Sequence, residues 1–456
     1  MSDFDLIVIG AGPGGYEAAL HAAELGMKTA VIEMDRVGGT CLNRGCVPTK
    51  ALLHSSGVFR SVREGTPGVL AENVRCDVEA IFAEKDRITE TLSGGVEGLL
   101  KKAKVTLIRG RARITAPGTV EAGGSAYTAD RILIATGSVP VMPPIPGLDL
   151  PGVMSSNELL KGTDHVYESI VIIGGGVIGV ELATFYADLG SRVTIVEGLD
   201  RLLPNMDKEL GQNLGLLMKK RGVTVHTGAM VERVSKTDGG LTVSFSSKKG
   251  PESAEAEAVL CAIGRRPYFD GLFAEGLEPG TCGRSIKVDE RFETGIPGIY
   301  AIGDVSSKVQ LAHVATAQGI ACVDMMAGRE SDVDLSLVPS CIYSRPEIAV
   351  TGLTEAEAQE KGIAVKTGKC VMGGNARTLI ADPGRSFMKL VAHADTGKLA
   401  GAQLMCENAT DMISELTQAI ANGLTARDLL RGMRPHPTFE EAMTEALLNL
   451  VSKLGN

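Results

Sequence analysis

The chain has no tryptophan, and aromatic residues make up only 4% of it, against 56 glycines in 456 positions. That balance suits an α/β fold with tight turns better than an all-β sandwich. Positive charge is in deficit: the net charge of −9 argues against a nucleic-acid or anionic-membrane partner. No apolar run reaches the ~18–20 residues of a membrane span. A secretory leader is not expected either. Met1-Ser2-Asp3-Phe4-Asp5 leads straight into an apolar strand with no basic start, so a cytoplasmic location is expected. The nine cysteines are odd in number and scattered, which argues against a secreted disulfide framework. With no second cysteine pair and no histidine cluster beside the first, no metal site is expected.

One pattern occurs twice. DLIVIGAGPGGYEAALHAAELGMKTAVIE (residues 5–33) and SIVIIGGGVIGVELATFYADLGSRVTIVE (169–197) both read as strand, glycine turn, helix, glycine stop, strand. Gly10, Gly12 and Gly15 correspond to Gly174, Gly176 and Gly179, and Glu33 corresponds to Glu197. The first glycine permits the turn, the second lets the backbone approach a pyrophosphate, and the third lets helix pack on strand. The helix N-terminus offers free N–H groups to the phosphates, and the carboxylate can accept from a ribose diol. Two complete fingerprints imply two dinucleotides. Glu197 would repel a 2′-phosphate and so favours NAD over NADP, although Arg192 and Arg201 lie close enough in sequence to soften that preference.

Between the fingerprints lies GGTCLNRGCVPTK (38–50). Cys41 and Cys46 are five apart, about 140° on an ideal helix, so their sulfurs meet only at a distorted first turn or a loop-to-helix junction, with Gly45 as the aid. Lys50 lies one turn after Cys46 on the same face, where a cation can stabilise a thiolate or a reduced flavin.

These motifs together resemble the class I pyridine nucleotide–disulfide oxidoreductases over essentially the whole chain. Ala135-Thr136-Gly137 resembles the family's crossing under FAD. TGIPGIYAIGD (294–304) resembles the second FAD motif, ending at Asp304, and Ala312-His313-Val314 the stretch that closes over the flavin. His436-Pro437-Thr438-Phe439-Glu440-Glu441 resembles the C-terminal HPTxxE box. The resemblance implies two Rossmann-like α/β domains, for FAD and NAD, and a C-terminal α/β dimerisation domain. It divides the chain into residues 1–145, 146–265, 266–335 and 336–456, the third segment completing the FAD site. Gly14, Gly39, Thr40, Ala112, Val231 and Gly264 join the cofactor-binding set.

The catalytic set implied is Cys41 and Cys46 as a redox disulfide, Lys50 paired with Glu181, and His436 oriented by Glu441. Cys41 exchanges with substrate, Cys46 faces the flavin, and His436 serves the cysteines of the other subunit, so a homodimer is expected. The pattern is most like the members that oxidise protein-bound dihydrolipoamide with NAD⁺. The lipoyl protein would belong to a 2-oxoacid dehydrogenase, a glycine cleavage system or an acetoin system. A glutathione-reductase-like activity is the alternative, and a non-catalytic flavoprotein docking subunit a further one. Arg44 and Arg434 depart from the pattern and are expected to bring positive charge to the disulfide mouth; Ala112 stands where glycine is common. Stretches 85–104 and 408–424 read as amphipathic packing helices.

Overall fold

A computed structural model describes residues 2–161, 165–381 and 384–454. Near-continuous apolar runs such as Leu6-Ile7-Val8-Ile9 have no polar side to show to water. They form the buried parallel strands of a sheet covered on both faces. In the first unit the parallel order is Thr106–Arg109, Thr29–Glu33, Phe4–Ile9, Ser125–Ile134, Ile299–Ala301. Two short antiparallel strands, Arg113–Ala116 and Thr119–Ala122, extend it.

The second unit repeats the plan. Its parallel order is Thr224–Thr227, Arg192–Glu197, Ser169–Ile173, Ala258–Cys261, Val153–Ser155. In both units the helix follows the glycine turn as expected, at Pro13–Glu24 and Val177–Leu189. The third glycine of each turn is sterically required. A Cβ on Gly15 would lie 1.9 Å from the Gly10 carbonyl oxygen, and one on Gly179 would lie 2.1 Å from that of Gly174. Where the chain leaves the first unit and returns to it, Ser138–Pro140 and Arg265–Pro267 pair as an antiparallel ribbon.

The C-terminal unit is a five-stranded antiparallel sheet. Its order is Ser340–Ile342, Glu347–Gly352, Leu399–Cys406, Phe387–His393, Val365–Val371. Helices Ala409–Ala421 and Glu441–Leu454 bury Leu416, Leu447 and Leu450 against it. Each such side chain contributes about 1.5–3 kcal/mol. The first amphipathic helix runs Val78–Lys102, beginning seven residues before the expected stretch 85–104. Asp77 caps it, accepting from the Ala80 N–H at 2.9 Å. The packed face reaches this start too, since Phe82 is buried in the core and Val78 and Ile81 pack against it.

Candidate active site

The two glycine turns open into one connected cavity of about 1690 Å³, larger than the ~300–1,000 Å³ of a single small-ligand site. Gly10, Gly12 and Gly14 line one end, Gly174 and Gly176 the other, and Cys41, Cys46, Lys50, Glu181 and Asp304 lie on its walls. Gly39, Thr40, Ala112, Ala135, Thr136, Gly137, Val231, Gly264 and Ala312 line it as well. Gly15 and Gly179 do not; they sit behind the turns, where helix meets strand.

The cysteines stand where two helices meet. Gly39–Arg44 ends and Cys46–Glu64 begins at Gly45, whose φ of −145° and ψ of −110° break the helical run. This junction replaces the 140° separation of a continuous helix and lets the two sulfurs meet. A side chain at Gly45 would have its Cβ 2.9 Å from the Thr40 carbonyl oxygen. Both cysteines are free thiols here. The Cys41 thiol hydrogen-bonds to the Cys46 sulfur. That bond, opposed by burial and reinforced by Lys50, brings the Cys46 pKa down to about 7. The same bond and burial push the Cys41 thiol strongly up. Of the pair, Cys46 is the one that ionises first, at the start of a helix where the dipole favours an anion.

Lys50 donates to both carboxylate oxygens of Glu181, at 3.0 and 2.8 Å. Glu181 is 3% exposed and also accepts from the Tyr343 N–H at 3.0 Å, while the Lys50 ammonium lies 4.7 Å from the Tyr343 ring centre. Burial opposes the Lys50 charge, but Glu181 outweighs it and holds the pKa above the ordinary value. On another wall the Ser138 hydroxyl donates to Asp304 at 2.5 Å. Arg265 donates to the Ser138 hydroxyl at 2.8 Å, to its carbonyl at 2.6 Å and to the Thr40 hydroxyl at 3.4 Å. Burial raises the Asp304 pKa against the pull of Ser138 and Arg265. Sequence reasoning missed Arg265 and Ser138. The signal available was Arg265 directly after Gly264, but its partners lie 127 and 225 residues away.

The residues present fit two dinucleotides. Gly12 and Gly176 are the N-caps of their helices and neither has a side-chain capping bond, so first-turn N–H groups remain for phosphates. A Cβ on Gly10 would lie 2.4 Å from the Ala135 carbonyl oxygen, so only glycine allows the turn this close to the crossing strand. Glu33 accepts from the Ala11 and Asp35 N–H groups at 2.7 and 2.8 Å. Glu197 accepts from Gly175 and Leu199 at 2.5 and 2.7 Å. Each carboxylate is oriented by two backbone donors and keeps lone pairs for a ribose. The cations that could soften the preference at Glu197 are elsewhere. Arg201 is held by Asp200 at 2.9 Å and the Pro204 carbonyl at 2.8 Å. Arg192 begins the strand that Glu197 ends, about 16 Å away.

His436 and Glu441 lie in the C-terminal unit and do not line the cavity of their own chain. His436 Nδ1 is 2.8 Å from a Glu441 carboxylate oxygen, and the Thr438 N–H donates to the other at 2.9 Å. These contacts hold the Glu441 carboxyl below its usual range, first through Thr438 and then through His436. The His436 side chain is 73% exposed, so its outer nitrogen is open to a second molecule.

Both arginines are paired with carboxylates of their own chain. Arg44 lines the same cavity as the thiols and is paired with Asp35 at 2.5 Å, beside the Glu33 end. Arg434 is 8% exposed, paired with Glu415 at 2.7 Å and bonded to the Leu429 carbonyl and Thr444. It braces the His436 segment.

The family model of pyridine nucleotide-disulphide oxidoreductases matches residues 4–319, and that of their dimerisation domain matches residues 338–447. A dihydrolipoyl dehydrogenase of Bacillus subtilis is 38% identical, over 97% of this chain and 95% of its own length. One from Thermus scotoductus is 38% identical over 98% and 97%. Among solved structures, LpdA from Mycobacterium tuberculosis aligns with a TM-score of 0.89 at 29% identity, covering 98% of this chain and 99% of that one. The HOCl-induced flavoprotein disulfide reductase RclA of Escherichia coli aligns with a TM-score of 0.86 at 28% identity, over 98% and 99%.

Proposed function

Because the chain belongs to the pyridine nucleotide-disulphide oxidoreductase family, we propose that it is a homodimeric dihydrolipoyl dehydrogenase. It oxidises dihydrolipoamide carried on a lipoyl protein and reduces NAD⁺. The observation that carries this reading is the Cys41–Cys46 pair on a kinked helix, beside Lys50–Glu181, in a cavity that both dinucleotide turns enter. The host of the lipoyl protein is a 2-oxoacid dehydrogenase, a glycine cleavage system or an acetoin system. Among the described residues no helix is long and apolar enough to cross a membrane.

In this reading a substrate thiolate attacks Cys41 of the oxidised pair. A mixed disulfide forms and Cys46 leaves as the thiolate that Lys50 favours. The second substrate thiol then displaces Cys41, giving the cyclic disulfide product. His436 of the other subunit takes up the thiol protons, with Glu441 fixing its tautomer and orientation. FAD bound beside the pair would supply two-electron redox chemistry between the dithiol and NAD⁺. Gly10, Gly12, Glu33 and Asp304 would hold FAD; Gly174, Gly176 and Glu197 would hold NAD⁺. Glu181 keeps Lys50 protonated between the two sites.

The test sets NAD⁺ with dihydrolipoamide against NADPH with oxidised glutathione. Turnover confined to the first pair is expected. Turnover confined to the second overturns the substrate assignment.

A further inference from the structure

The Lys50–Glu181 pair belongs to a longer seam. Helix Cys46–Glu64 and helix Val177–Leu189 pack side by side, and segment 340–346 crosses both. At the cavity the three are joined by Lys50, Glu181 and the Tyr343 N–H. Seven residues further along each helix they are joined again. Seven residues are within about 20° of two full turns, ~10.5 Å along the axis, so Gly57 repeats the face of Lys50 and Asp188 that of Glu181.

At this second level Asp188 is 3% exposed. Arg345 donates to it through Nε at 3.1 Å, Arg60 lies at 3.7 Å, and the Ser56 hydroxyl at 3.5 Å. The Arg345 guanidinium also donates to the Leu53 carbonyl at 3.0 Å. It rests on Gly57 so closely that a Cβ there would be 1.6 Å from Nη2. Arg221 completes the group; burial, and then Arg60, lower its pKa to about 10. Three guanidiniums thus converge on one buried carboxylate, with Glu64 beyond. None of these groups lines the cavity.

We infer that Asp188 is a positioning residue for the redox centre: by gathering Arg60, Arg221 and Arg345 it fixes the two helices and segment 340–346 against one another, and so keeps Lys50 and Glu181 in register beside Cys46. Without its charge the three guanidiniums repel and the helix pair loses its second point of attachment. Lys50 then follows Glu181 away from Cys46, whose thiolate it supports. The inference rests on the reading of Cys46 as the thiolate that Lys50 supports.

The test uses the holoenzyme with Asp188→Asn, Asp188→Glu and the milder Arg345→Met, which leaves Asp188 with Arg60 and Arg221. Two readouts are taken across pH: the rate at which iodoacetamide labels Cys46, read by peptide mass in a Cys41→Ser background, and the long-wavelength thiolate–flavin absorbance. The midpoint of both is expected to rise by about one pH unit in Asp188→Asn, less in Arg345→Met, and to return in Asp188→Glu. In a Lys50→Met background Asp188→Asn should add nothing, because it acts through Lys50. A lower melting temperature with unmoved midpoints, or a shift that persists without Lys50, overturns the inference. Absence of the absorbance in the parent enzyme overturns the flavin-side assignment of Cys46 instead, and the alkylation midpoint still decides the role of Asp188.

Discussion

Lys50 grips both carboxylate oxygens of Glu181, at 2.8 and 3.0 Å, from one helical turn beyond Cys46. The same ammonium serves two anions, a fixed carboxylate and a thiolate that exists only when the pair is reduced. The thiolate therefore comes and goes beside a cation whose own charge Glu181 secures.

The first consequence is a pH dependence. The Cys46 pKa is brought down to about 7, so the anion is present above that pH and is lost as pH falls through it. The long-wavelength absorbance of dithiol-reduced enzyme should fade with a midpoint near 7. Lys50→Met should raise that midpoint by about one unit or more, and absorbance at pH 7 should drop accordingly. A spectrophotometric titration of the two enzymes reads both.

The two sulfurs should respond differently to replacement. Cys46→Ser removes the thiolate and with it the absorbance and turnover. Cys41→Ser leaves Cys46 ionisable, so the absorbance should appear without added dithiol while turnover falls by about a thousand-fold or more, the scale of losing a covalent nucleophile. Spectra before and after one equivalent of dithiol distinguish them.

His436 is turned away from its own cavity, which makes the site divisible. Dimers reassembled from equal amounts of Cys41→Ser and His436→Gln chains should be half mixed, and each mixed dimer holds one intact site. Roughly a quarter of parental activity should return from two inactive parents. No recovery, with mixed dimers demonstrated by mass, would place the base within the chain that holds the cysteines.

At the second dinucleotide turn, Glu197 accepts from the Gly175 and Leu199 N–H groups, and among the described residues it makes no ion pair. NADP⁺ should be used at least about a hundred-fold less efficiently than NAD⁺, roughly 2.7 kcal/mol. Glu197→Ala should shrink that ratio chiefly by weakening NAD⁺. Comparing kcat/KM for the two nucleotides checks it.

Much of this was legible because glycine and cysteine patterns encode backbone geometry. Gly10 and Gly15 mark positions where a Cβ has no room, and Gly45 a junction that five-residue spacing already requires. The Lys50–Glu181 pair was legible only through the family resemblance. What local pattern could not carry is where a charge finds its partner. Arg44 was expected to bring charge to the thiols; it lines their cavity, but its guanidinium is held by Asp35. Arg434 reads as a cation beside His436, but the helices of the C-terminal unit enclose it. Asp188 and Arg265 acquire meaning only when segments more than a hundred residues apart converge on them. Helix Val78–Lys102 starts earlier than expected because Asp77 caps it and because Val78, Ile81 and Phe82 already carry the packed face.

The central claim is that electrons pass from a dithiol through Cys41 and Cys46 to NAD⁺. Mixing the enzyme with one equivalent of dihydrolipoamide and then with NAD⁺ tests it in a single turnover. The account predicts that the thiolate absorbance rises, then falls as about one NADH per subunit forms, and that Cys41→Ser forms none. NADH from Cys41→Ser at the parental rate, or reduction of the pair with no NADH at all, would contradict it.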